Sequence, residues 1–278
     1  MNMSEGKSKD GLSMSSLAVF RALAILIGLP IGHLKEDVDR DMTTKFPAGE
    51  DTDIATRLSK VKARMKAATA NAGLAVKSPA LVAVSKTIGR GHIETLLKCG
   101  HRDFGENRVQ EASSKWPDLK SKYPGINLHL IGRLQTNKVK EAAGLFDVIE
   151  TVDRVKLAEE LARNRDRIAF CPTLLIQINT GEESQKGGIF PSEADSFINI
   201  CVSELNLPVA GLMCIPPVNE EPSPHFGLVR EIGLRHRLPS LSMGMSADFE
   251  VALAFGATSV RVGTAIFGAR ERKRGEVE

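Results

Sequence analysis

The chain has 278 residues, 42% of them hydrophobic, with 37 basic and 34 acidic side chains and a formal net charge of +3. That is apolar material for one large core or two modest ones, which excludes a chain disordered over most of its length. The basic residues form no long block and there is one Trp and one Tyr, so neither an electrostatic track nor a stacking platform for nucleic acid is provided, and no nucleic-acid partner is expected.

Residues 1–50 differ from the rest. The apolar run from Ala22 to Ile31 is too short to span a bilayer and contains Gly and Pro, so no membrane partner is expected. Glu5 and Asp10 argue against a standard transit peptide. This segment is read as an N-terminal extension, disordered or targeting; the protein is expected in the cytoplasm, with an organellar address as the alternative.

From residue 51 the pattern becomes regular, and a single domain is expected over 51–272, followed by a charged tail at 273–278. Ile54, Leu58, Val61 and Met65 recur at helical spacing, which predicts an amphipathic helix ending near Asn71-Ala-Gly73. Short apolar runs then predict eight strands, near Leu81 to Ser85, Asp103 to Gly105, Leu128 to Ile131, Val148 to Thr151, Leu174 to Asn179, Val209 to Cys214, Ser240 to Met243 and Ser259 to Val262. Helices alternate with them, for example Asp153 to Arg163, with Asp153 suited to N-capping, and Ser192 to Leu205, with Pro191 just ahead. Eight β/α units in roughly 220 residues suit a closed, parallel (β/α)8 TIM barrel. A doubly wound open sheet competes, but it carries a glycine-rich loop after its first strand, where this chain has Lys86-Thr87.

Cys99, Cys171, Cys201 and Cys214 form no C-x-x-C pair, and they read as reduced, mostly buried thiols rather than a zinc site or disulfide framework. The six histidines are equally scattered, so no metal site is expected.

Functional groups of such a barrel sit on the loops at the C-terminal ends of the strands, with phosphate held after the seventh and eighth. Lys86 follows the first strand, where lost hydration makes an amine easier to deprotonate and able to attack a carbonyl; the alternative is a surface lysine at a strand exit. Ser246, after strand seven, is placed to cap the next helix and offer its hydroxyl to an anion. After strand eight, Gly263 admits a close approach of backbone amides and Thr264 adds a hydroxyl. An amine facing two donor loops fits an aldehyde that carries a phosphate, and pyridoxal 5′-phosphate (PLP) is the economical ligand.

The motifs VAVSKT at Lys86, FGENRVQE from Phe104, HLIGRLQTNK from His129, QINTGEES from Gln177, GLMCIPP from Gly211 and the long stretch LSMGMSADFEVALAFGATSVRVGTAIFGAR from Leu241 occur in that order. On these the chain resembles the pyridoxal phosphate homeostasis protein family of PLP-binding proteins, whose fold is that of the alanine racemase barrel domain. The resemblance implies that Lys86 is the aldimine lysine, that Ser246, Gly263 and Thr264 hold the phosphate, and that Arg261 lies beside the pyridine nitrogen, disfavouring its protonation. Asn107 and Asn179, on the rims of strands two and five, are expected to contact the cofactor, with loop ordering as the alternative; His129 reads as a barrel-interior or loop-tethering histidine. The run from Gly181 departs from the family pattern, which puts the loop after strand five in doubt.

Racemisation needs a second acid/base on the opposite face of the cofactor, a tyrosine from an additional domain in the related racemases. Tyr123 is the only tyrosine here and falls in a Pro/Gly loop. The expectation is a PLP holder in vitamin B6 homeostasis, not an enzyme, delivering PLP to apo-enzymes and existing as a monomer or weak homodimer. The alternative is a racemase-like PLP enzyme acting on a small amino acid with Lys86 as its base.

Overall fold

The computed structural model describes residues 53–72, 78–165 and 172–269. The extension at 1–50, its apolar run, Cys171 and the 273–278 tail lie outside the described residues. Helix α1 (Ile54–Ala72) buries Ile54, Leu58, Val61 and Met65, a stripe one helical face wide that carries the local driving force for docking.

The elements then alternate: β1 (Ala80–Val84), α2 (Arg90–Lys98), β2 (Asp103–Glu106), α3 (Val109–Lys122), β3 (Asn127–Leu130), α4 (Val139–Leu145), β4 (Val148–Val152), α5 (Val155–Arg165), β5 (Thr173–Ile178), α6 (Ala194–Asn199), β6 (Val209–Cys214), α7 (Pro222–Arg235), β7 (Ser240–Ser242), α8 (Phe249–Ala254), β8 (Ser259–Val262) and α9 (Thr264–Phe267). All eight strands are parallel and close into one barrel in sequence order. Closure is set by the register of β1 on β8, with Val82 opposite Arg261 and Ala83 opposite Val262. Each expected strand is present within one or two residues, and the open sheet is excluded.

Two helix starts differ from expectation. Asp153 does not cap α5: the helix starts at Val155, the Leu157 and Ala158 amides donate to the Arg154 carbonyl, and the Asp153 carboxylate instead pairs with the Arg133 and Arg154 guanidiniums. The stretch expected as one helix from Ser192 is wound in three ways: a 3-10 turn at Pro191–Glu193, α6, then a π-helical turn at Ile200–Glu204. Of the described cysteines, Cys201 and Cys214 are buried and Cys99 is exposed. Burial pushes both buried thiols up to about 12, so they stay protonated and unreactive.

Helix α1 lies against α8 and α9. Arg64 forms a two-pronged pair with Glu250, both contacts 2.9 Å, and stacks 4.7 Å from the Phe249 ring. Arg57 Nε donates to the Ile266 carbonyl at 2.6 Å, satisfying one of the unpaired carbonyls at the end of α9. No described helix is long and apolar enough to cross a membrane.

Candidate functional site

Because the strands are all parallel, the residues that follow them share one rim. Lys86 stands two positions beyond β1, half-buried in a turn. The β7 and β8 loops meet beside it. A methyl group built on Gly263 would lie 3.4 Å from Val84 Cβ, at the end of the strand that delivers Lys86.

Ser246 does not cap α8, which starts three residues later with Asp248 at its cap. Its hydroxyl instead reaches the neighbouring loop, where the Gly263 and Ala265 amides donate to Oγ at 3.3 and 3.5 Å. The turn that carries it is fixed by Gly244, whose φ is 93° and whose place a Cβ could not share, since Ala252 Cβ would be 2.6 Å away. Asp248 tightens the same turn by accepting the Met245 amide at 2.5 Å. The fold itself does not demand glycine at 263: its φ of −112° suits any residue and a Cβ would meet only ordinary contacts. Thr264 opens α9 with an exposed side chain. One hydroxyl and two amides thus converge, and long hydrogen bonds of this kind are readily exchanged for an oxyanion with several acceptor lone pairs.

Arg261 is 3% exposed. Its Nη2 donates to the Cys214 carbonyl of β6 at 2.7 Å and its Nη1 to Ser242 Oγ of β7 at 2.5 Å. Ser242 donates on to Glu150 Oε2 of β4 at 2.6 Å, while Glu150 Oε1 lies 2.7 Å from His129 Nδ1 of β3. Strands β4 and β7 are not neighbours, so this chain of contacts crosses the barrel interior, a space filled in most such barrels by branched apolar side chains. It continues to Asn127, whose Nδ2 is 3.0 Å from His129 Nε2 and donates to Asp103 Oδ1 at 2.9 Å.

His129 is therefore interior, as expected. Burial disfavours its charged form, yet hydrogen bonding and charge from Asp103 and Glu150 outweigh that and raise it to about 9. Asp103 and Glu150 are held below the usual carboxylate range; burial opposes this and contact with His129 prevails. Protonated on both ring nitrogens, His129 faces Glu150 through Nδ1 and Asp103 through Nε2, 3.9 Å from Asp103 Oδ1. Two carboxylates and two cations alternate, which keeps the interior near neutral and Arg261 in place.

The two asparagines part company. Asn179 is spent on its loop: Nδ2 donates to the Glu183 carbonyl at 2.8 Å and Oδ1 accepts the Glu183 amide at 3.2 Å, the loop-ordering role. Asn107 is half-buried beyond β2, backed by Gly132, where a Cβ would fall 2.3 Å from the Asn107 carbonyl oxygen; its amide makes no hydrogen bond to another described residue. Next to it a 400 Å³ cavity is lined by Arg108, Arg133, Gln135 and Lys138. A cavity of about 860 Å³ lies at the other end of the barrel among Lys62, Ala80, His101 and Asp103, away from Lys86. Tyr123 caps the end of α3 ahead of β3, also at that far end.

The model for the alanine racemase N-terminal domain matches residues 57–271. The pyridoxal phosphate homeostasis protein of Aquifex aeolicus is 40% identical over 224 residues, covering 77% of this chain and 97% of that protein. The protein of that name from Escherichia coli K12 is 41% identical over 231 residues, 79% of this chain and 97% of its own length. The chain belongs to the pyridoxal phosphate homeostasis protein family. Among solved structures, PipY of Synechococcus elongatus with PLP bound is 34% identical and superimposes with a TM-score of 0.66, covering 77% of this chain and all of PipY. Alanine racemase from Corynebacterium glutamicum, at 17% identity and a TM-score of 0.57, covering 79% of this chain and 63% of its own, shares the fold.

For this family the sequence reading had missed Glu150, Ser242 and Asp103. Glu150 is the one charged residue of the buried strand Val148–Val152, and a lone carboxylate there is the available signal, since an ionised group in such a strand requires partners.

Proposed function

We propose that this protein binds PLP at the C-terminal rim of the barrel, holds it covalently through the Lys86 amine, and serves vitamin B6 homeostasis by keeping the aldehyde sequestered and passing it to apo-enzymes. The observation that carries this reading is the meeting of the Ser246 hydroxyl with the Gly263 and Ala265 amides beside the strand that delivers Lys86. That donor set fits a phosphate monoester, and the family relationship to a protein solved with PLP supports the choice.

When bound, PLP supplies an aldehyde for attachment and an electron-withdrawing ring. The chain's own part is to orient and hold. Ser246, the Gly263 and Ala265 amides and Thr264 take the phosphate, and Lys86 takes the aldehyde carbon. Arg261, fixed by Ser242 and the Cys214 carbonyl, presents a permanently charged donor toward the ring nitrogen and so opposes its protonation. That weakens the ring as an electron sink and favours storage over turnover. Asn107, whose amide makes no hydrogen bond to another described residue, offers it to the cofactor; Asn179 acts through its loop. Tyr123, at the far end of the barrel, supplies no base across the ring.

The test is borohydride reduction of PLP-loaded protein followed by intact and peptide mass analysis. The expected result is one PLP-derived adduct on Lys86, a visible absorbance band that Lys86→Ala abolishes, and PLP transfer to an apo-enzyme without sustained conversion of any free amino acid. An adduct elsewhere, or steady turnover of an amino acid above that of PLP alone, overturns the proposal.

A further inference from the structure

The turn that carries Lys86 is held by a buried charge cluster on its outer side. Glu106, the last residue of β2, is fully buried, and its Oε1 accepts from Ser85 Oγ at 2.7 Å, Lys115 Nζ at 2.9 Å and Trp116 Nε1 at 3.1 Å. The Lys115 ammonium, from α3, also reaches the carbonyls of Ser85 at 3.0 Å and Ile88 at 3.4 Å, and Glu111 Oε1 at 2.9 Å. Glu111 Oε1 in turn accepts the Thr87 amide at 2.7 Å. Thr87 has a φ of 62°, a left-handed conformation that is costly for a β-branched residue and persists only when its surroundings enforce it. Residues 85, 87 and 88 are thus gripped by side chains of β2 and α3, and Lys86 lies between them in the chain.

We propose that Glu106, Glu111 and Lys115 are positioning residues for the Lys86 amine, setting how fast and how tightly it takes an aldehyde. This rests on the reading of Lys86 as the PLP-attaching residue. An uncompensated ammonium would be expelled from a site where Lys115 is 11% exposed, so Glu106 holds Lys115 in place and Lys115 holds the loop. Small errors in the placement of a reacting group cost up to about a hundredfold in rate. Charges in contact with the loop include Glu106 from β2 and Glu111 and Lys115 from α3, and Arg108 at the cap of α3 acts on Glu111. Deleting the Lys115 charge leaves the loop more negative, which stabilises an ammonium at Lys86; deleting Glu111 does the reverse.

The experiment measures the rate of PLP adduct formation, its equilibrium, and its pH profile for Lys115→Met and Glu111→Ala, with Ser113→Ala, whose hydroxyl donates to Glu141 of α4 and not to the loop, as the control. Both variants are expected to load roughly ten- to a hundredfold more slowly, with the pH midpoint for loading moved up in Lys115→Met and down in Glu111→Ala; Ser113→Ala loads normally. Opposite midpoint shifts are not produced by general loosening of the fold. Glu111 is part-exposed on the helix surface, so Glu111→Ala folds and decides the question even where Lys115→Met does not. Normal rate, equilibrium and midpoint in either folded variant overturn the inference. Failure of the unaltered protein to form any adduct on Lys86 overturns the parent reading instead.

Discussion

Replacing Glu150 with Gln removes the carboxylate that links His129 to Ser242 and Arg261 while preserving volume. In the intact protein Glu150 is fully buried, 2.7 Å from His129 Nδ1, 2.6 Å from Ser242 Oγ and 3.6 Å from Arg261 Nη1. Removing one partner of a buried charge set costs about 3–5 kcal/mol. Gln keeps one acceptor oxygen and His129 can shed its proton, so the low end, about 3 kcal/mol, is expected at pH 6. For a domain of this size that corresponds to a fall in Tm of roughly 6–12 °C. The cost must shrink with pH. His129 is raised from 6.5 to about 9, so its contribution is fully present below pH 6.5 and is lost as pH rises through 9. Denaturant unfolding of the PLP-free protein and the variant, at pH 6 and pH 9.5, should give a difference at least about 1 kcal/mol smaller at the higher pH. The same cost at both pH values, or a cost under about 1 kcal/mol at pH 6, refutes the charge-alternation account of the barrel interior.

Ser246→Ala should weaken PLP binding about tenfold or more, the worth of one hydrogen bond to a charged group, yet barely alter binding of pyridoxal, which has no phosphate; equal losses for both ligands would remove Ser246 from the anion cradle. Gly244→Ala combines a φ of 93° with a 2.6 Å approach to Ala252 Cβ, and thermal melts should register a loss of roughly 2–4 kcal/mol. Arg64→Ala removes both the Glu250 pair, whose side chains are 38% and 46% exposed, and the stack on Phe249, so its cost should be about 1–2 kcal/mol, of which the ion-pair part shrinks in high salt.

The strands, Lys86 and the two donor loops were legible because each is a local matter: β-branched runs bounded by turn residues, at a spacing that only βα units produce. Periodicity placed the α1 stripe for the same reason. Caps were read less well. Ser246 and Asp153 have the right chemistry for a helix start, but each is engaged elsewhere, by the β8 loop amides for one and by Arg133 with Arg154 for the other.

The amino-acid order alone favoured a closed parallel barrel over an open sheet, with an amine after its first strand and small, donor-rich turns after its last two, since alternation of strand and helix permits few other ways to bury these apolar faces. Only the folded chain decided what stands inside and behind that rim. Glu150 and Ser242 are 92 positions apart, and Glu106 gathers side chains from the turn after β1 and from α3. No local pattern encodes such meetings; barrel closure does, by bringing non-neighbouring strands close enough for their buried charges to satisfy one another.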